Sequence, residues 1–239
     1  MIFNIPVGGS AKAIVTVYGA ASETVTLTAK NGKTFTTTTD ATGKGGQLEI
    51  QAGVYTISGS HSGYSKSVTV AKDTTAVYAM PNGTIVYWYG YMPYTPVGKE
   101  CAPNKSYFNP QPGITSNHKA MDLSNAIHER SITFIQPGLS GTYCSTAVFE
   151  NVKTDGGKLT FISTGKSANT SAAIVIFSYA EDIGRGWFMP AGAEYVDYQE
   201  TEVTIPNVPA GTCDIAISAQ NNAWNYVGST EVYAIYIEE

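Results

Sequence analysis

Along the first eighty residues, apolar and polar side chains alternate in short bursts, each closed by a turn signal. Ala13-Ile14-Val15-Thr16-Val17-Tyr18 is one burst, and Glu23-Thr24-Val25-Thr26-Leu27-Thr28-Ala29 alternates strictly. A period of two marks a half-buried strand, because successive side chains point to opposite faces. Asn31-Gly32 then predicts a hairpin closed by a type I′ turn, in which both central residues take positive φ. Residues 33–39 would form the returning strand, and Asp40-Ala41-Thr42-Gly43 the next turn. Residues 47–50, 54–59, 64–70 and 75–80 follow as strands, each bounded by Gly, Ser, Asp or Lys. Seven short strands in about seventy residues predict a β-sandwich.

Pro81-Asn82-Gly83 combines a fixed φ with a flexible glycine and marks a boundary. It divides the chain into a first domain at 1–81 and a second at 82–239. In the second, residues 158–163, 172–179, 195–205, 213–219 and 231–237 read as strands, and only Met121 to Arg130 offers a short helix. Long antiparallel strands must close against one another to hide their edges, so the second domain is expected to be a larger sandwich of jelly-roll type. The predicted fold is therefore all-β, a seven-stranded sandwich of prealbumin or immunoglobulin type followed by a jelly roll.

The segment Thr84-Ile85-Val86-Tyr87-Trp88-Tyr89-Gly90-Tyr91-Met92 carries apolar residues at every strand position but one. By parity Ile85, Tyr87, Tyr89 and Tyr91 would share one face and Val86, Trp88, Gly90 and Met92 the other, as in a strand buried on both sides. Tyr94, beyond Pro93, is expected to be more exposed. Residues 96–113 hold four prolines and read as a long irregular loop, with Tyr107 and Phe108 available for contacts.

In the first domain Ala52-Gly53-Val54-Tyr55-Thr56-Ile57, followed by Gly63-Tyr64-Ser65-Lys66-Ser67-Val68 and preceded by the Thr39-Asp40…Gly43 turn, resembles the signature of PEGA and carboxypeptidase-regulatory-like domains. The resemblance spans roughly residues 12 to 80. It departs at Gly45-Gly46, where those domains more often carry an aromatic residue. It implies a prealbumin-like sandwich that serves as a spacer or attachment module.

Composition narrows the chemistry. Charged residues make up 14% of the chain and apolar residues 43%, with 16 Tyr and 24 Gly, so a core can be buried and disorder is excluded. A net charge of -5 and only two arginines, Arg130 and Arg185, argue against nucleic acid as a partner. No apolar run is long enough to insert into a bilayer. Residues 1–15 lack a basic segment followed by an apolar one, so the expected route is cytoplasmic synthesis, with function in a virion or outside the cell after release. Cys101, Cys144 and Cys213 are too few for a disulfide framework and read as buried thiols or one bridge plus a free thiol. His61, His118 and His128 have no metal-ligand spacing, and no motif implies a cofactor. Gly165-Lys166-Ser167 imitates the end of a phosphate loop, but Thr160 stands where the first glycine belongs.

Two loops carry the residue types a glycan site requires, apolar faces beside a few polar groups. One is Glu181-Asp182-Ile183-Gly184-Arg185-Gly186-Trp187. The other is Gln220-Asn221-Asn222-Ala223-Trp224-Asn225-Tyr226. The candidate glycan-binding residues are Tyr94, Tyr107, Glu181, Asp182, Arg185, Trp187, Asn221, Asn222, Trp224 and Tyr226. No catalytic residue is assigned. A glycosidase would need a pair of carboxylates from among Glu129, Glu181, Asp182, Asp197, Glu200 and Glu202, and sequence spacing sets none of them opposite another.

A spacer sandwich joined to a jelly roll, with sparse charge and much Thr, Tyr and Gly, looks like tail and baseplate components of phages that infect gut bacteria. The likeness is one of style. It implies a non-enzymatic structural or receptor-binding protein, trimeric, presenting loops to a cell-surface glycan. The alternative is a bacterial adhesin or carbohydrate-binding module, and the third reading is a polysaccharide-degrading enzyme.

Overall fold

β-Branched, aromatic and small residues build twenty strands, and no helix forms among the described residues. The computed structural model describes residues 11–104, 118–135, 143–165, 173–196, 201–221 and 228–239. The chain divides into one compact unit up to Met80 and a second from Pro81 to Glu239.

The first unit has seven strands: β1 (Lys12–Tyr18), β2 (Thr24–Ala29), β3 (Thr34–Thr38), β4 (Lys44–Gln51), β5 (Gly53–Gly59), β6 (Ser65–Val70) and β7 (Ala76–Tyr78). They form a three-stranded sheet ordered β4-β1-β7 and a four-stranded sheet ordered β3-β2-β5-β6, with β1 and β7 parallel. The alternating apolar residues of the sequence, among them Val15, Val17, Val25, Leu27, Ile50 and Ile57, meet in one core. The hairpin at Asn31-Gly32 forms, but with different turn chemistry. Only Gly32 has positive φ (83°), and Ala29 N–H donates to Lys33 O across a three-residue loop. That is a turn ending in a left-handed glycine, and it adds a residue that a type I′ hairpin lacks.

One carboxylate lies wholly inside this unit. Glu23 is 0% exposed. Its Oε1 accepts Ala20 N–H at 2.5 Å, and its Oε2 accepts His61 N–H, Ser62 N–H and Ser62 Oγ–H at 3.2–3.3 Å. A Cβ on Gly19 or Gly59 would run into that carboxylate, so both positions must stay bare.

The second unit begins with β8 (Thr84–Trp88), β9 (Val97–Lys99), β10 (Cys101–Pro103) and β11 (His118–Ala120). Eight strands follow in two Greek-key sheets: β12 (Ile132–Ile135), β13 (Tyr143–Thr154), β14 (Gly157–Ser163), β15 (Ala173–Ala180), β17 (Gly192–Tyr195), β18 (Glu202–Val208), β19 (Gly211–Asn221) and β20 (Ser229–Glu238). One short strand, β16 (Gly186–Phe188), is inserted between β15 and β17. One sheet runs β12-β20-β14-β18 and the other β13-β19-β15-β17, all antiparallel. Numbered in turn, the eight strands pair 1-8-3-6 and 2-7-4-5, which is the jelly-roll order. β8 extends the first sheet beside β12, while β9 and β11 extend the second along the free edge of β13. Phe134, Phe149, Phe161, Phe177, Ile215 and Ile235 lie in the core between the sheets, with the Phe161 and Phe177 rings stacked at 4.2 Å.

Four expectations are corrected here. Residues 121–130 are not helical: Asp122 Oδ1 takes Ser124 N–H at 2.9 Å, and two tight reversals follow, with Ala126 N–H on Leu123 O and His128 N–H on Ser131 O. The 96–113 stretch is not wholly irregular, since it contains β9 and β10. Residues 195–205 are not one strand, because β17 ends at Tyr195 in one sheet and β18 starts at Glu202 in the other. The aromatic run does not keep one parity. Val86 is bulged out of the β8–β20 ladder, so Val86 and Tyr87 both enter the core. The strand then reverses at once: Tyr89 and Gly90 have φ of 41° and 96°, and Trp88 and Tyr91 exchange two backbone hydrogen bonds of 2.8 Å. This is the type I′ turn, formed at Tyr-Gly and not at Asn-Gly.

The three cysteines are free and buried. Desolvation pushes their thiols up, to about 11 for Cys101 and Cys213 and about 12 for Cys144.

Candidate functional site

Trp187 lies on β16, which pairs in parallel with β10: Cys101 opposite Gly186, Ala102 opposite Trp187 and Pro103 opposite Phe188. Period two sends Phe188 inward and Trp187 outward. Phe188 joins Cys101, Val148, Ala180, Ile183 and Ala216 in a small core that seats this ribbon on the outer face of the β13-β19-β15-β17 sheet. The indole is 42% exposed. Met189, two residues on, is also exposed. The His118 ring meets the indole edge-on, with centroids 5.9 Å apart at 62°.

The loop that leads into β16 is fixed from below. Ile183 is fully buried, and its N–H donates to Asp214 Oδ2 at 3.0 Å. Asp214 Oδ1 accepts Asn151 N–H at 2.8 Å, where the β13 backbone takes a left-handed residue (φ 56°) at a bulge. Lys99 Nζ approaches Asp214 Oδ2 at 4.0 Å and bonds Glu150 Oε1 at 2.6 Å. Gly186 N–H closes the loop on Glu100 O at 2.8 Å. With the backbone held this way, Glu181, Asp182 and Arg185 all remain exposed around the indole's strand.

Four predicted site residues, Glu181, Asp182, Arg185 and Trp187, therefore occupy one segment with exposed side chains. Tyr94 does not belong with them. It is half-buried against the jelly-roll core, and its hydroxyl accepts Lys153 N–H at 3.2 Å. It is a packing residue, because the chain turns back at Tyr89-Gly90 and lays residues 92–94 along the core edge. Tyr107, Asn222, Trp224 and Tyr226 lie outside the described residues, as does the Asn221 side chain. The Asn221 backbone pairs with both Tyr143 and Ala173 at the end of β19. The sequence offers His118 only as a histidine without metal-ligand spacing and gives Met189 no role, since neither sits in a motif. His118 reaches the indole from β11, which pairs with β13, and Met189 follows Trp187 two residues on. Among the described residues, no group of three or more His, Cys, Asp and Glu side chains gathers to hold a metal ion.

No protein-family model matches the chain, and no curated protein matches its sequence. Similarity appears among solved structures. A carbohydrate-binding module of promiscuous specificity, from the β-sandwich superfamily, aligns over 96% of this chain and 98% of its own, at 15% identity and a TM-score of 0.37. CsCBM6-3 from Clostridium stercorarium, in complex with cellobiose, aligns over 49% of this chain and 88% of its own, at 17% identity and a TM-score of 0.28. Infectious bursal disease virus Gx strain aligns over all of this chain and 54% of its own, at 13% identity and a TM-score of 0.19. At these identities and scores the likenesses transfer no ligand to this chain.

Proposed function

We propose that the second unit is a carbohydrate-binding module without catalytic activity, and that Trp187 is its stacking platform. The observation that carries this reading is Trp187, 42% exposed on a ribbon that pairs with β10 and is seated by the buried Phe188 and Ile183. A large apolar ring costs free energy in water, and a rigid one loses little entropy on binding. The apolar face of a sugar ring matches it, while Glu181, Asp182 and Arg185 supply acceptors and donors for hydroxyls on the same segment. The first unit serves as spacer or attachment module. A place in a phage or prophage particle, displayed outside the cell as a homotrimer, is the setting we propose for that arrangement. A solution mass three times the 25.4 kDa chain would support it, and a monomer would remove it.

Glycan-array screening followed by calorimetry tests the binding itself. Trp187→Ala should weaken the best glycan at least tenfold, about 1.4 kcal/mol, with an unchanged melting temperature. Equal binding by the variant, or no glycan bound by the native chain, would overturn the reading. Glycan hydrolysis that disappears on substituting an exposed carboxylate such as Glu181 would instead make the protein an enzyme.

A further inference from the structure

A pocket of about 270 Å³ opens on the other face of the jelly roll, against the outer side of β12. Its walls are built by the reversals of residues 121–131. Met121 and Ala126 are buried in the core, Met121 N–H donates to Thr146 O at 3.0 Å, and Thr133 N–H donates to Ala126 O at 2.9 Å. Gly98 of β9 lies so close beneath this segment that a Cβ there would overlap the Met121 carbonyl. On β12, Ile132 and Phe134 point into the core, so Thr133 and Ile135 face the pocket. The cavity is thus walled by hydrogen-bonded turns and one strand.

Its lining selects a ligand class. Asp122, Ser124, Asn125, His128 and Thr133 contribute polar atoms, and Ala126 with Ile135 an apolar floor and wall. His128 Nε2 lies 3.1 Å from Thr133 Oγ1, and the Asn125 amide makes one long contact of 3.5 Å to Ser124 Oγ. Most of the Asn125 amide's hydrogen-bonding capacity therefore remains for a ligand. Among the described residues no Lys or Arg lines the pocket, which disfavours phosphate or carboxylate ligands. Among the described residues it also has no aromatic wall of the kind a flat hydrophobe needs. Its volume falls below the roughly 300–1,000 Å³ of drug-sized sites, which leaves space for one ring.

A polar path leads away from it along the same sheet face. Thr133 pairs across the strands with Glu231. The Glu231 carboxylate is held by Ser131 Oγ at 2.5 Å and Tyr233 OH at 3.0 Å, and the Tyr233 ring stacks on Tyr89 with centroids 5.9 Å apart. We propose that this pocket is a second carbohydrate site, which takes one neutral pyranose ring through its hydroxyls and directs the attached chain past Glu231 toward Tyr89 and Tyr233. The site is separate from Trp187 and stands or falls without it.

The test is a titration of the ¹⁵N-labelled full chain with glucose, galactose, mannose, N-acetylglucosamine and glucosamine, followed by amide shifts. At least one neutral sugar should move residues 122–128 and 133 in both the native chain and Trp187→Ala. Asn125→Ala, which removes one weak contact, should weaken that binding about tenfold, and Thr133→Val should weaken it too. Shifts confined to the Trp187 segment, no shift with any sugar, or native affinity in Asn125→Ala would overturn the proposal. Binding of glucosamine alone would overturn the neutral class and make the pocket a cation site. If either variant perturbs amides beyond the pocket, the shift map of the native chain alone decides.

Discussion

Among the described residues each sandwich buries one carboxylate, and the two serve different ends. Glu23 takes three backbone N–H groups and a hydroxyl, tying the turn at residues 19–22 to the turn at 60–63. Asp214, 5% exposed, takes two backbone N–H groups and faces Lys99. Desolvation works against the charged form of Lys99, but the Glu150 hydrogen bond and the charges of Glu150 and Asp214 outweigh it and raise its pKa. The first carboxylate closes a fold. The second holds a bulge on one side and the backbone of the Trp187 loop on the other, so it links packing to the proposed binding surface. The same physical device, an anion satisfied by backbone donors, bears on the proposed binding only where one of those donors belongs to a loop that presents an exposed ring.

The largest expected effect follows from Glu23→Ala. It leaves the buried Ala20 N–H without its acceptor, at roughly 1–3 kcal/mol, and removes the acceptor of the part-buried His61 and Ser62 N–H groups and of the Ser62 hydroxyl, each at less than that. Together these losses are a large share of the about 5–15 kcal/mol that holds a domain together. Denaturant unfolding should lose or greatly advance the transition of the first unit while the second keeps its own. Glu23→Gln should not rescue it, because an amide NH₂ would then confront backbone donors. Unchanged unfolding in Glu23→Ala would mean the two turns hold without the anion, and the contrast with Asp214 would collapse.

Asp214→Ala should have a smaller effect on stability, about 1–3 kcal/mol, since it strands the buried Ile183 donor, frees the part-buried Asn151 donor and leaves Lys99 its Glu150. Its distinguishing outcome is a second readout. Glycan binding at Trp187 should weaken in Asp214→Ala although Asp214 touches no ligand, whereas Glu23→Ala should leave that binding intact wherever the second unit is folded. Equal binding in Asp214→Ala at a temperature well below its melting point would separate the carboxylate from the loop.

The two units also differ in how far their structure could be read from the chain. In the first, one face of most strands is wet, so alternation locates every strand even where its partner is far along the chain, as β7 is from β1. Even there, the turn at Asn31-Gly32 and the role of Glu23 were hidden, because a carboxylate inside an alternating run gives no sign of the donors that will surround it. In the second unit the longest strand, β13, gave no pattern at all. Ser145, Thr146 and Ala147 are all buried, and Thr146 is tolerated only because its hydroxyl donates to Cys101 O at 2.8 Å and meets Ser218 Oγ at 3.0 Å. Those partners lie 45 and 72 residues away, beyond any local signal. The Trp187 loop was legible as chemistry because its residues are contiguous. The β12 pocket was not, because residues 121–130 mimic a helix and the wall at Thr133 and Ile135 follows only from the strand's parity.

The smallest expected effect concerns a third carboxylate, Asp40, which does in solvent what Glu23 does in the core. Its Oδ1 accepts Thr42 Oγ–H at 2.6 Å, Thr42 N–H at 2.8 Å and Lys44 N–H at 3.1 Å, closing the turn before β4. The Thr42 hydroxyl first, then the Lys44 and Thr42 N–H groups, hold its pKa below the ordinary carboxylate value of 3.8. A depressed folded pKa means that the unfolded chain binds the proton more readily. The contribution is therefore fully present above the unfolded value and is lost as pH falls through the lower, folded one. At neutral pH Asp40→Ala should lower the melting temperature of the first unit slightly, by far less than Glu23→Ala, because water replaces the lost acceptor at an exposed turn. The difference between native and variant should shrink below about pH 4, where the unfolded native chain begins to protonate. A difference that persists undiminished into strong acid would assign the effect to the turn's backbone rather than to the ionised side chain.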